Sequence, residues 1–273
     1  VLGALVIVFR EVLEAGLIIG IVLAATRGLP DRGRWVSLGV VAGLAGAGVV
    51  ALFAEAISNA FEGSGQELLN ATVLGAAVLM LMWHNAWMAR HGREMAAEMK
   101  ALGADVTAGT RPMTVLAVVI GLAVLREGAE IVLFLYGIAA TGTTGAAMLF
   151  GGLLGLAAGA MLTALTYFGL LALPTRHVFT VTTLLIALLA AGMAAQAVHF
   201  LYAAGWVEVL NNQMWDSSGI LPQDSLIGRM LHTLIGYTDR PTELQVIAYV
   251  TTLAAMAALI RIAAPRRPAR AAA

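Results

Sequence analysis

Long apolar runs, interrupted by short polar stretches, dominate this sequence. A membrane-spanning helix takes about 20 mostly apolar residues. Seven runs qualify: roughly residues 1–25, 35–58, 68–89, 112–137, 145–172, 178–201 and 243–263. The pattern predicts an all-α integral membrane protein with seven transmembrane helices. The first run is longer than a signal-peptide core, carries charge and has no clear cleavage site, so it is expected to be a span. The connections are uneven. Residues 26–34 read as a short basic turn, 90–111 as a polar surface helix, and 138–144 as a short uncharged link. Residues 202–242 form the one long loop, and its mixture of apolar and polar residues predicts that it folds against the membrane surface.

Composition agrees with this pattern. Of 273 residues, 60% are hydrophobic and 12% charged, about half the charged share of a soluble domain. That excludes an ordinary soluble enzyme, a disordered chain and a nucleic-acid binder. There is no cysteine, which excludes disulfides, zinc-thiolate sites and thiol catalysis. Net charge is zero, but its distribution is not even. With the N-terminus outside and the C-terminus inside, the cytoplasmic segments hold Arg27, Arg32, Arg34, Arg90, Arg93, Lys100, Arg111, Arg176, Arg261, Arg266, Arg267 and Arg270. The outer ones hold only Arg229 and Arg240. Bases favour the cytoplasmic side, so the orientation predicted is N-out, C-in. The outer segments are acidic: Glu62, Glu67, Glu208, Asp216, Asp224, Asp239 and Glu243.

The chain also repeats. Arg10-Glu11-x-x-Glu14 recurs as Arg126-Glu127-x-x-Glu130, an offset of 116. The same offset carries Gly39 and Gly43 onto Gly155 and Gly159, and an offset of 115 carries His84 onto His199. Two three-helix repeats follow, one over about 1–90 and one over about 112–201. Three spans per copy make the copies inverted in the membrane, a plan of transporters whose site lies at the repeat interface. The chain is read as a single domain over 1–273, with the loop at 202–242 and the seventh helix at 243–263 outside the repeat.

Both motifs lie deep in their spans. Arg10 is about 15 Å into the first, at 1.5 Å per residue, near the middle of a ~30 Å hydrocarbon core. A charge there costs at least ~2.5–3.5 kcal/mol, so these groups must face protein, water or an ion. Arg10, Glu11 and Glu14 share an arc of about 100°, as do Arg126, Glu127 and Glu130. If the two helices cross, Glu11, Glu14, Glu127 and Glu130 converge with Arg10 and Arg126. Four carboxylates and two guanidiniums leave a charge of −2, which a divalent or trivalent cation would neutralise. Simple structural ion pairs need one Glu per Arg; here each Arg has two. Carboxylate oxygens are hard ligands that suit iron, manganese, magnesium and calcium.

These motifs, with Ala15-Gly16-Leu17 after the first and the stretch from Trp215-Asp216-Ser217-Ser218 to Asp224-Ser225-Leu226-Ile227-Gly228-Arg229, resemble the bacterial branch of the oxidase-dependent iron permease family over essentially the whole chain. The resemblance implies a seven-span, multi-pass permease of the bacterial inner membrane. It implies import of iron as the transported substrate, ferric and supplied by an extracytoplasmic oxidase, with no organic cofactor. It also implies periplasmic iron-binding and iron-oxidising proteins as partners. A permease for Fe(II) or another divalent cation such as Mn(II) is the alternative. An intramembrane metal-dependent hydrolase is disfavoured, because neither His-Glu-x-x-His nor Glu-Glu-x-x-x-Arg occurs. No phosphate-binding Gly-x-x-x-x-Gly-Lys-Ser/Thr loop occurs either, so direct ATP drive is not encoded.

Other polar groups are secondary candidates. His84 and His199 are expected toward the outer ends of the third and sixth spans, as ligands or as hydrogen-bonded interface residues. His91 is expected to be solvated on the cytoplasmic side. Glu55, Glu62, Asp216 and Asp224 are candidates for an acidic entrance that concentrates cations, or are ordinary solvated acids. Gly39, Gly43, Gly151, Gly155 and Gly159 read as points of close helix approach.

Overall fold

The computed structural model describes residues 1–60, 66–169 and 175–263. Eight α-helices account for most of them: α1 (Leu2–Ala25), α2 (Arg32–Ala60), α3 (Gln66–Thr107), α4 (Thr114–Ala140), α5 (Gly145–Tyr167), α6 (Thr175–Ala203), α7 (Leu226–Ile235) and α8 (Glu243–Ala263). No strand occurs among the described residues, only an isolated bridge between Gln213 and Thr242. Five helices are long and apolar enough to cross a membrane: α2, α3, α5, α6 and α8. α1 and α4 are as long, at 24 and 27 residues, but each carries one complete charged motif at its middle.

Two expectations are corrected. The polar stretch 90–111 is not a separate surface helix. α3 runs unbroken for 42 residues, about 63 Å at 1.5 Å per residue, roughly twice the hydrocarbon thickness. Its far end is fastened to α1: Gly103 packs against Ala25, and the Thr107 hydroxyl donates to the Ala25 carbonyl at 3.2 Å. The long loop contains α7, which the sequence pattern did not separate. Ser225 caps its start by accepting from the Gly228 amide at 2.9 Å. Gly236 ends it at φ +69°, a left-handed conformation that favours glycine.

The helices pair in a crosswise manner. The most extensive contacts join α2 to α4, α1 to α5 and α3 to α6. Glycine makes the first two possible. A Cβ on Gly39 would lie 2.6 Å from the Ala117 carbonyl oxygen, and one on Gly43 2.7 Å from that of Gly121. Across the other pair, a Cβ on Gly155 would lie 2.5 Å from the Leu5 oxygen, and one on Gly159 3.0 Å from that of Phe9. Gly151 packs against Val1 in the same row. These glycines are points of close approach, as expected. Their register differs from the 116-residue offset by one helical turn. Gly39 meets Ala117, nine residues before Arg126, whereas Gly151 meets Val1, nine residues before Arg10. Packing therefore matches Gly39 with Gly151 rather than with Gly155.

Two apolar clusters flank the charged motifs. One holds Ala4 and Ile7 of α1, Leu74 to Leu81 of α3, Phe134 and Ile138 of α4, and Ile186 to Ala197 of α6. The other holds Val22 of α1, Val36 of α2, Val106 of α3, and Leu116, Ile120 and Val124 of α4. On α1 the first cluster precedes Arg10 and the second follows it. On α4 the order is reversed, because the helices are antiparallel. The charged layer is thus enclosed between two buried apolar layers.

Candidate metal centre

Three helices deliver the charged layer. α1 brings Arg10, Glu11 and Glu14, α4 brings Arg126, Glu127 and Glu130, and α3 brings His84. One helical turn or less separates the charged residues within each motif, so each presents them toward the crossing. Glu11, His84, Glu127 and Glu130 each place one ligand atom within 4.8 Å of the others. His84 Nε2 lies 3.4 Å from Glu14 Oε2 and 3.9 Å from Glu11 Oε2. Its Nδ1 contacts Glu130 Oε2. One imidazole therefore bridges carboxylates of both motifs.

The arginines flank this cluster. Arg10 Nε lies 3.0 Å from Glu14 Oε1, and its Nη1 4.0 Å from Glu11 Oε1. Arg126 Nε donates to Glu130 Oε1 at 3.2 Å and lies 3.8 Å from Glu127 Oε1. Yet several of the buried atoms make no well-aligned hydrogen bond, among them both carboxylate oxygens of Glu11 and Oε2 of Glu127; Glu14 and Glu130 are met by Arg10 and His84 nitrogens at poor angles. Arg10 is close to its carboxylates but not aligned with them. Buried carboxylate oxygens lacking donors are costly, and a cation among them would supply the missing contacts.

The layer is closed except on one flank. Arg10, Glu11, Glu14, His84 and Glu127 are buried, with Arg10 only 2% exposed. Glu130 is 15% exposed at its side chain and Arg126 36%. The Arg126 guanidinium carbon lies 4.2 Å from the centroid of the Trp87 ring, a cation–π contact.

The structure brings together all six motif residues and His84. It corrects the expectation for His84, which lies in the charged layer rather than toward an outer end of its span. His199 does not share that position. It is exposed and lines a separate polar basin of about 510 Å³ with Gln196, Gln213, Asp239 and Gln245. Of the acidic entrance candidates, Glu55 and Asp224 are exposed, and Glu62 lies outside the described residues. Asp216 is held within the loop. The Ser218 hydroxyl and amide donate to its Oδ1 at 2.5 and 2.9 Å, and Arg240 Nε lies 3.1 Å from its Oδ2. These donors, Ser218 foremost, lower its pKa below the usual 3.8. One residue at the site was missed by sequence reasoning: Trp87 roofs Arg126. Asn85, next to His84 in the chain, is also buried, with its amide donating to the Leu81 carbonyl at 3.0 Å. A polar residue next to His84 in an otherwise apolar run was the available signal for Asn85; none marked Trp87.

Comparison with known proteins gives a consistent picture. The model of the iron permease FTR1 family matches residues 1–265. The ferrous iron permeases EfeU of Shigella sonnei and of Escherichia coli O157:H7 are each 30% identical over 265 residues, which covers 96% of this chain and 95% of theirs. EfeU of Yersinia pestis is 28% identical over 247 residues, covering 89% of this chain and 87% of its own. No solved structure matches.

Proposed function

The chain belongs to the iron permease FTR1 family, and on that premise we propose that it carries iron across the membrane through the carboxylate layer. Glu11, Glu14, Glu127 and Glu130 would ligate the ion together with His84, while Arg10 and Arg126 neutralise the carboxylates when no ion is bound. The observation that carries this reading is the set of buried carboxylate oxygens without well-aligned donors, gathered around one imidazole.

The oxidation state we propose for the ion in the layer is ferrous. Four carboxylates and two guanidiniums sum to −2, which one divalent ion neutralises. An imidazole nitrogen added to oxygen ligands suits iron of either charge, so the choice rests on the charge count. The relatives are named ferrous iron permeases; the ferric import expected from the resemblance is the second reading. A periplasmic iron-binding protein would deliver ferrous iron at the outer face; an iron-oxidising partner belongs to the ferric alternative.

The architecture we propose has seven spans, α1 to α6 and α8, in N-out, C-in orientation. Spans one to three and four to six form inverted repeats. The crosswise pairing supports this: exchanging the two triplets turns α1–α5 into α4–α2 and leaves α3–α6 unchanged. The matched glycine rows before Arg10 and Arg126 support it too.

Uptake into proteoliposomes tests the function. Ferrous iron, kept reduced by ascorbate, enters vesicles holding the protein, and ferric chelates do not. Glu14→Gln and Glu130→Gln lower uptake by at least about tenfold, the smaller loss seen when even a supporting partner of a metal ligand is removed. Wild-type uptake by both variants at equal protein level contradicts the site; uptake of ferric iron alone contradicts the oxidation state.

A further inference from the structure

The face of α3 that carries His84 changes character at that residue. At about 100° per residue, Leu69, Val73, Met80, His84, Trp87, His91, Glu94 and Glu98 all fall within an arc of about 100°. On the N-terminal side of His84 this face is apolar. Leu69, Val73 and Met80 line a cavity of about 240 Å³ against Leu133 and Tyr136 of α4. On the C-terminal side it is polar as far as Glu98, and exposure rises away from the site over that stretch; Leu102, next on the arc, packs in the second apolar cluster. His84 is buried, Trp87 and His91 are half-buried, and Glu94 and Glu98 are exposed. Arg90 and Lys100 lie off the arc.

The aromatic rings on this face are joined to the site. The His91 ring stacks on Trp87 with centroids 5.1 Å apart, and its Nδ1 lies 3.2 Å from the Trp87 carbonyl oxygen. The other contact of Trp87 is Arg126, the one guanidinium of the layer that reaches the surface. The remaining directions are closed by the two apolar clusters, whose members Ile7, Leu81, Val22 and Leu116 are fully buried, and by the buried Arg10.

We propose that the cation passes between the carboxylate layer and the C-terminal end of α3 along this face, with Trp87 as the gate and His91, Glu94 and Glu98 as successive ligands. His91 lies about 10 Å beyond His84 at 1.5 Å per residue, and Glu98 about 10 Å further. Such steps suit an ion handed from one weak site to the next. When the cation occupies Glu127 and Glu130, Arg126 loses its counter-charge, and the Trp87 ring holds the displaced guanidinium. By the N-out orientation this route opens to the cytoplasm. It rests on the permease reading given above.

The absence of cysteine makes the test direct, because each introduced thiol reports a single position. His91→Cys and Leu122→Cys, the latter one turn before Arg126, are compared with Met80→Cys and Leu133→Cys. The probe is a membrane-impermeant sulfonated methanethiosulfonate applied to each side of sealed vesicles. The first pair reacts on the order of tenfold faster than the second from the cytoplasmic side, and ferrous iron slows the reaction at His91→Cys. A permeant maleimide in denaturant confirms that all four thiols are present. Equal rates for the two pairs, or reaction from the opposite side only, overturn the route. For the gate, Trp87→Ala speeds iron efflux from preloaded proteoliposomes by about fivefold, the scale of one partly exposed cation–π contact, and Trp87→Phe does so far less. Unchanged efflux in Trp87→Ala overturns the gate. The thiol reactions require no transport, so they stand apart from the outcome of the Glu→Gln variants.

Discussion

Arg10 and Arg126 occupy the same place in the same Arg-Glu-x-x-Glu pattern, on two antiparallel helices, and each sits within reach of two carboxylates. Their surroundings differ. Arg10 is 2% exposed and enclosed by protein; Arg126 is 36% exposed and covered by an indole. The positions inside each motif differ as well. In the first, Val12 presses against Gly159 and Leu13 is buried. In the second, the corresponding positions are Gly128, which packs against Ala47, and Ala129. The same charges thus make a fixed counter-ion on one side of the layer and a more accessible one on the other. A permease needs that difference, since a site equally sealed on both flanks would trap its ion.

The comparison is broken most forcefully by removing the arginines. Arg10→Gln leaves Glu11 and Glu14 buried without their cation. Breaking a buried pair costs about 3–5 kcal/mol, so this variant is expected to unfold at a much lower temperature in detergent. Arg126→Gln, at a half-exposed site, is expected to lose less than half as much. Equal destabilisation of the two, read by thermal unfolding, would show that the difference in burial has no energetic meaning.

A smaller effect is expected from His84→Gln. The imidazole touches Glu14 and Glu130, one from each motif, and so joins the two halves. Its loss is expected to weaken ferrous iron binding by about 10- to 100-fold, a range typical of disrupted metal sites, while the protein stays folded. Calorimetric titration measures this.

Next come the helix crossings that hold the motifs in register. Gly155→Ala sets a methyl group 2.5 Å from the Leu5 oxygen, and Gly43→Ala sets one 2.7 Å from the Gly121 oxygen. Backbone cannot yield as a flexible side chain can, so each is expected to cost about 1–3 kcal/mol. The two should be similar if the crossings are equivalent; a large inequality in unfolding temperature would separate them.

The smallest effect lies far from the layer. Asp216 has a depressed pKa because Ser218 and then Arg240 favour its charged form. A depressed carboxylate contributes stability above its unfolded value, near 3.8, and that contribution is lost as pH falls through the lower folded value. Limited proteolysis of the 211–224 segment should therefore stay slow at neutral pH and quicken only below about pH 4, and Asp216→Asn should remove this pH dependence.

How much of this could be read from the chain depends on the range of the interactions involved. Apolar run length is local, so the helices were legible, as was the mid-helix position of Arg10 and Arg126. The convergence of four carboxylates followed from two motifs of one pattern. The place of His84 did not, because it depends on how α3 crosses α1 and α4. Pairing it with His199 by sequence offset led to the wrong environment, because His199 on α6 is exposed at a polar basin rather than turned to the charged layer. Trp87 gave no signal, since an aromatic residue in an apolar run is most often core or interfacial. The continuity of α3 through Gly92 was hidden by the polarity of residues 90–107. That polarity belongs to one face of a continuing helix whose other face, with Met99, Leu102 and Val106, packs in the second apolar cluster.

The joint use of both motifs by one ion is tested most directly by X-ray absorption spectroscopy of the iron-loaded protein, with the metal content measured on the same samples. One iron per chain is predicted, in an oxygen-rich shell with scattering from a single imidazole that disappears in His84→Gln. Two irons per chain, each abolished by changes in one motif alone, or a shell unaltered by His84→Gln, would contradict a shared centre.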